Sequence, residues 1–373
     1  MKRDRRIVKR LGIASALLAM AVAGAMAVRA ADPQPLYRVA AGAGVSDAAL
    51  RQAIDPLFEE GATGETRALV VMRDGQVVAE RYAPGFGPDT KLLGWSIAKS
   101  VTAVLVGLMV SDGRLALDAP VPVAAWSQPG DPRGRITLRQ LLTMASGLDH
   151  SEDAEPIASA DTNRMFFTDG ASDMGRFAES QPVADPPGIV FSYSSGNTMI
   201  LADLMTRQLT ASDDPDARRL AMQTFIDGRL KQTAGLSSLT PEYDARGTMI
   251  GGGFLHMTAR DYARFGELLR NHGRGPAGHQ IVPEKWIAFM RSPSALNPAY
   301  GGHLWLNRKS EGSALMPDEA PANLFGCVGH GGQYILIAPR QRLTIVRLGM
   351  SPDNAQRVAV KSALARLIAL FPA

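Results

Sequence analysis

The 373-residue sequence predicts an α+β fold: an antiparallel sheet built from N- and C-terminal segments, flanked by helices, with a mainly helical lobe inserted at about residues 114–245. Three observations predict it. ALVVMRDGQVVAERYA (68–83) alternates like two strands around the turn Arg73-Asp74-Gly75. QYILIAP and LTIVRLGM, near the other end, read as a second strand pair, and the chain between carries mostly helical periodicity. A composition of 46% hydrophobic and 20% charged residues suits a globular chain.

Residues 1–30 read as an export signal. Basic MKRDRRIVKR precedes apolar LGIASALLAMAVAGAMAV, and Val28 and Ala30 offer small residues for cleavage near Ala30. The run is also long enough for an uncleaved membrane anchor, but its Ala and Gly content favours cleavage and a periplasmic or secreted product. This leader holds seven Lys and Arg against Asp4, a net +6 within a chain total of +4, so the remainder is about −2. The basic pI therefore belongs to the leader, and nucleic-acid binding is not expected. No later segment is apolar enough to span a bilayer.

Residues 31–64 read as a linker and first helix, AALRQAIDPLFEE, ahead of one domain over 65–373. A long apolar helix follows Ser96 and stops near Asp112-Gly113. ITLRQLLTMASGL (136–148) reads as a helix capped by Thr137 and ended by Gly147. Residues 149–187 are polar and broken, the character of a lid or binding loop. Helices are predicted over 197–209, 213–233 and 258–271, the last opening on a Thr-x-x-Asp cap, and NAQRVAVKSALARLIALF closes the chain.

A single cysteine, Cys327, excludes an internal disulfide, and six scattered histidines show no metal-ligand spacing, so neither metal nor cofactor is expected. GRGPAG (273–278) follows a helix and contains Pro276, which argues against a dinucleotide loop. GWSIA (94–98) lacks the final glycine of an esterase elbow.

The chemistry concentrates in three stretches. In GWSIAKSVTAVLVGLMVSDG, Ser96 and Lys99 share a helix face. A lysine set among apolar neighbours loses its charge readily and then accepts a serine proton, while the helix N-terminus favours a developing anion. Alone, the pair reads equally well as a cap beside a surface lysine. FSYSSGN (191–197) offers Tyr193 as a proton relay, against the alternative of a core aromatic beside a capping serine. GHGGQYILIAP offers Gly331 and Gly332 for close substrate approach and the Gln333 N–H as an oxyanion donor beside that of Ser96.

Ser96-Ile97-Ala98-Lys99, Tyr193-Ser194-Ser195 and His330-Gly331-Gly332, in this order, resemble the three motifs of the serine β-lactamase and penicillin-binding superfamily, in its class C-like branch. SDGRLALDAPV, LLTMASGLD and GGGFLHMTARDYARFGELL extend the likeness over roughly residues 65–370. The wording is most similar to the 6-aminohexanoate-dimer hydrolase and esterase subgroup. That resemblance implies a β-lactamase-like fold and a Ser96 acyl-enzyme served by Lys99 and Tyr193, acting on a small amide or ester. Ser195 stands where the family often has asparagine, and His330 where it has lysine, which weakens two anchors for a β-lactam. The resemblance also implies a mobile cover before the tyrosine; acidic HSEDAEPIASAD, with Glu152, Asp153, Glu155 and Asp161, is the candidate, with a role in attracting an amine. The same residues would serve a class C-like β-lactamase, a D-amino-acid peptidase, or a sensor that acylates once without turnover.

Overall fold

The computed structural model describes residues 37–40, 44–59 and 61–373; the predicted leader lies outside them. In chain order the strands are β1 (Tyr37–Val39), β2 (Glu65–Arg73), β3 (Gln76–Tyr82), β4 (Lys91–Leu93) and β5 (Thr240–Pro241). They continue as β6 (Leu255–Thr258), β7 (Trp305–Leu306), β8 (Phe325–Gly329), β9 (Gln333–Ala338) and β10 (Leu343–Met350). The helices are α1 (Asp47–Ile54), α2 (Ile97–Ser111), α3 (Leu138–Leu142), α4 (Asp161–Phe167) and α5 (Met174–Glu179). Then come α6 (Ser195–Leu209), α7 (Pro215–Ile226), α8 (Ala259–Arg270), α9 (Glu284–Met290) and α10 (Asn354–Ala369).

Seven strands form one antiparallel sheet in the order β1-β3-β2-β10-β9-β8-β7, and β4-β6-β5 form a small second sheet. The predicted assembly from both ends is realised where β2 pairs with β10, from Arg73 opposite Leu343 to Glu65 opposite Met350. Both faces of the large sheet are covered. Ala68, Val70 and Met72 of β2 enter a core with α2, α6 and α8, while Leu69 and Val71 face a second core with α1 and α10. Period-two alternation thus sends each strand's apolar residues to two cores, which is why these strands read as nearly unbroken apolar runs. The turn Asp74-Gly75 takes positive φ (51° and 77°) at both residues, as a two-residue hairpin requires.

Helix α2 is buried from Ile97 to Met109, so it carries apolar side chains all round. It sits between the sheet and α6, and it ends at Gly113 with φ 70°.

Two expectations need correction. The helix after Ile136 covers only Leu138–Leu142: Thr137 and Gln140 form its capping box, but Met144 turns into positive φ (58°) well before Gly147. Residues 149–187 are irregular only in part: they line the cleft, as a binding loop would, but include α4 and α5, with Asp161 accepting from the Ser151 N–H and hydroxyl and Asp173 capping at the Arg176 N–H. Met165, Phe166 and Met174 anchor the segment in the core. Among the described residues no helix is long and apolar enough to cross a membrane.

Candidate active site

Ser96 is placed by a strained turn. Trp95 holds φ 50°, a conformation costly for a bulky residue, and its ring is fixed edge-on to Phe254 (5.9 Å) and His330 (5.4 Å). Gly94 precedes it because the Tyr262 hydroxyl, bonded to the Leu92 and Leu255 carbonyls, leaves no room for a side chain. The first bond of the helical turn runs from the Ile97 N–H to the Gly94 carbonyl, which leaves the Ser96 N–H upstream of the ladder.

One turn on, Lys99 is 2% exposed. Its Nζ lies 2.9 Å from Ser96 Oγ, 2.8 Å from Ser195 Oγ and 2.7 Å from the Gly252 carbonyl. Burial lowers its pKa from 10.5 to about 8, with Glu152 pulling the other way. That brings the amine close enough to neutrality for the free base to be accessible.

Ser195 links Lys99 to Glu152. Its hydroxyl donates to Glu152 Oε1 at 2.7 Å, and its N–H donates to Oε2 at 2.7 Å. Thr162 also donates to Oε2 (2.8 Å). Burial pushes the Glu152 carboxyl upward, but Lys99 and the bonds from Ser195 and Thr162 outweigh it and hold it below the ordinary range. Ser195 therefore fills the asparagine position as a short bridge between an ammonium and a carboxylate.

Tyr193 packs in parallel on Trp305 (5.8 Å) and edge-on to Tyr300 (6.0 Å), with Lys99 Nζ 5.1 Å from its ring centre. Burial raises its pKa far above 10, Glu152 adds to the rise, and a bond with Ser96 only partly opposes it. Burial dominates, so Tyr193 is a neutral phenol that can donate a proton. His303 is buried against Thr198 and the Leu142 carbonyl, and burial lowers it to about 3; it is a structural histidine and not a base.

These groups open onto a cleft of about 620 Å³ that Ser96, Glu152, Tyr193, Ser195, His330 and Gly331 help to line. The third motif is brought there only in part. Gln333 lies on β9 opposite Gly329, and its carboxamide turns away to the Gly349 carbonyl (2.5 Å) and the His330 carbonyl (2.9 Å). Gly332 is likewise absent from the lining and is held by Arg347 (2.9 Å to its carbonyl). The strand beside the cleft is β8. The Asn307 N–H bonds the Leu324 carbonyl on the β7 side, so period-two alternation turns the N–H and C=O of Gly326 and Val328 the same way. β7 ends opposite Gly326, which leaves Val328, a cleft residue, as an open sheet edge. Gly329 packs so closely on the Gly94 carbonyl that any side chain would collide, which fixes this edge against the Ser96 turn.

Sequence reasoning missed three of these contributors. Glu152 stood among the acidic residues of a presumed cover, and nothing in its spacing marks it as the one turned inward. Val328 has no side-chain signature, because its contribution is backbone. The Gly252 carbonyl had a signal in the run Gly251-Gly252-Gly253.

A family model described as Beta-lactamase matches residues 50–370. The chain belongs to the β-lactamase family. Within it, the chain is similar to the 6-aminohexanoate-dimer hydrolase of Paenarthrobacter ureafaciens, 27% identical over 301 residues, 78% of this chain and 74% of the relative. Among solved structures, a Bacillus anthracis protein inferred to be a 6-aminohexanoate-dimer hydrolase superposes with TM-score 0.68 at 23% identity, covering 87% of this chain and 83% of that one. A family VIII carboxylesterase superposes with TM-score 0.66 at 16% identity, covering 89% and 100%. This β-lactamase-family protein is thus a serine hydrolase with the fold that its three motifs implied.

Proposed function

We propose that this protein hydrolyses small amides or esters through an acyl-enzyme on Ser96. The observation that carries the reading is Lys99 Nζ, buried and 2.9 Å from Ser96 Oγ. In its neutral form Lys99 takes the serine proton as Oγ bonds to the substrate carbonyl carbon. The N–H groups of Ser96 and Val328 receive the oxyanion, Val328 replacing Gln333 in that role because its edge faces the cleft. Collapse breaks the bond to the leaving group, which takes a proton from the Tyr193 phenol, and Tyr193 is restored by the proton held on Lys99. Water then attacks the acyl carbon and frees Ser96 by the same groups in reverse.

The relative that is 27% identical, named as a 6-aminohexanoate-dimer hydrolase, supports an amide as one substrate type. Turnover of 4-nitrophenyl acetate by the purified chain, lost by at least a thousandfold in Ser96→Ala, is the expected result. An acyl adduct on the peptide containing Ser96, seen by mass spectrometry after acid quench, is expected with it. Full activity in Ser96→Ala would end the proposal. We also propose export by the leader; a mature N-terminus near Ala30, read by mass, tests it.

A further inference from the structure

The aromatic rings around Ser96 fall into two sets. Tyr193, Tyr300, Trp305, His303 and Phe191 touch one another on the side of the proton donor. Trp95, Phe166, Phe167 and Phe254 touch one another on the other side, with ring centres 4.9–6.1 Å apart. Among the described residues no ring contact joins the two sets. Because the leaving group collects its proton from Tyr193, it departs on that side, and the acyl half of the substrate must lie against the second set.

That second wall is apolar and unfinished. Phe167 is 56% exposed and Ile157 60% exposed, and both line the cleft with Trp95 and Phe166. Large apolar side chains left in water at the mouth of a catalytic cleft are a surface waiting to be covered. Phe166 also seats against Gly253, so α4 holds the wall beside the Lys99 pocket. The charged groups nearby are mostly committed: Glu152 to Ser195 and Thr162, and Arg357 to the carbonyls of Ser351 and Pro352. Asp153, exposed on the rim, is the group that would receive an ammonium instead.

We infer that the acyl half of the substrate is an uncharged apolar chain or ring, covered by Phe166, Phe167, Trp95 and Ile157. The inference rests on the proposed Ser96 acyl-enzyme and adds its acyl specificity.

The test uses 4-nitrophenyl esters sharing one leaving group: acetyl, heptanoyl, and 6-aminohexanoyl, the last matching heptanoyl in size but ending in NH3+ in place of CH3. kcat/KM rises from acetyl to heptanoyl by roughly fourfold per methylene that reaches the wall. Heptanoyl exceeds 6-aminohexanoyl by about tenfold or more. In Phe167→Ala the heptanoyl-to-acetyl ratio falls about tenfold. Leu220→Ala, which removes another exposed apolar side chain that does not line the cleft, keeps the ratio. A preference for 6-aminohexanoyl would overturn the inference in favour of Asp153, as would a ratio unmoved by Phe167→Ala. Ser96-dependent turnover with no chain-length preference sinks this inference alone; no turnover of any ester sinks the acyl-enzyme reading with it.

Discussion

Lys99 and Arg347 are both buried cations, 2% and 0% exposed, and among the described residues neither forms an ion pair. Burial lowers both, Lys99 to about 8 and Arg347 to about 10. Their surroundings differ in kind. Arg347 spreads its donors over the carbonyls of Thr63, Glu65 and Gly332 and the hydroxyls of Thr66 and Ser351. Lys99 meets one carbonyl and two hydroxyls, and both of those serines line the cleft. The guanidinium keeps its proton at any pH the fold experiences, so its burial produces a strut between β2, β10 and the Gly331-Gly332 turn. The amine lies near enough to neutrality to exchange a proton, which is what its proposed role as a base requires.

Replacing each by methionine breaks this contrast if it is false. Lys99→Met should lose about ten-thousandfold in kcat/KM with little loss of stability. Arg347→Met should lose about 3 kcal/mol of stability, because several buried acceptors lose their donor, with a smaller kinetic effect. Denaturant melts and ester kinetics on both variants decide it; a stable Arg347→Met would remove the strut.

Tyr193→Phe sharpens the division of labour inside the site. An anilide leaving group needs the phenol's proton and should lose about a hundredfold, whereas a 4-nitrophenolate should lose less than tenfold. Equal losses would take the proton relay from Tyr193.

The sequence-level reading reached the elements whose pattern is local. The Asp74-Gly75 hairpin, the β9–β10 pair and the apolar helix after Ser96 each follow from spacing that no tertiary contact needs to correct. The candidate site was legible where side chains carry it, as in the meeting of Ser96, Lys99 and Tyr193 at the cleft. It was not legible where the backbone or a long-range contact does. The choice between Gln333 and Val328 depends on which edge of β8 remains open, a fact set by where β7 stops. The inward turn of Glu152 depends on Ser195, 43 residues away along the chain.

The pH dependence gives smaller effects. With Lys99 acting as a neutral base, kcat/KM should rise with pH through a midpoint near 8. Glu152 raises the Lys99 pKa, so Glu152→Gln should lower it and move this limb to more acidic pH. A limb that moved the other way, in a stopped-flow pH series, would show that Glu152 does not act through Lys99.

The lone thiol gives the protein a built-in stopwatch. Cys327 sits on β8 beside Val328, wholly enclosed, and burial pushes its pKa to about 12. A thiol reagent reaches it only when that strand peels open. The rate of single-site labelling, with and without the proposed acyl group on Ser96, therefore times the breathing of the β8 edge in the unmodified chain.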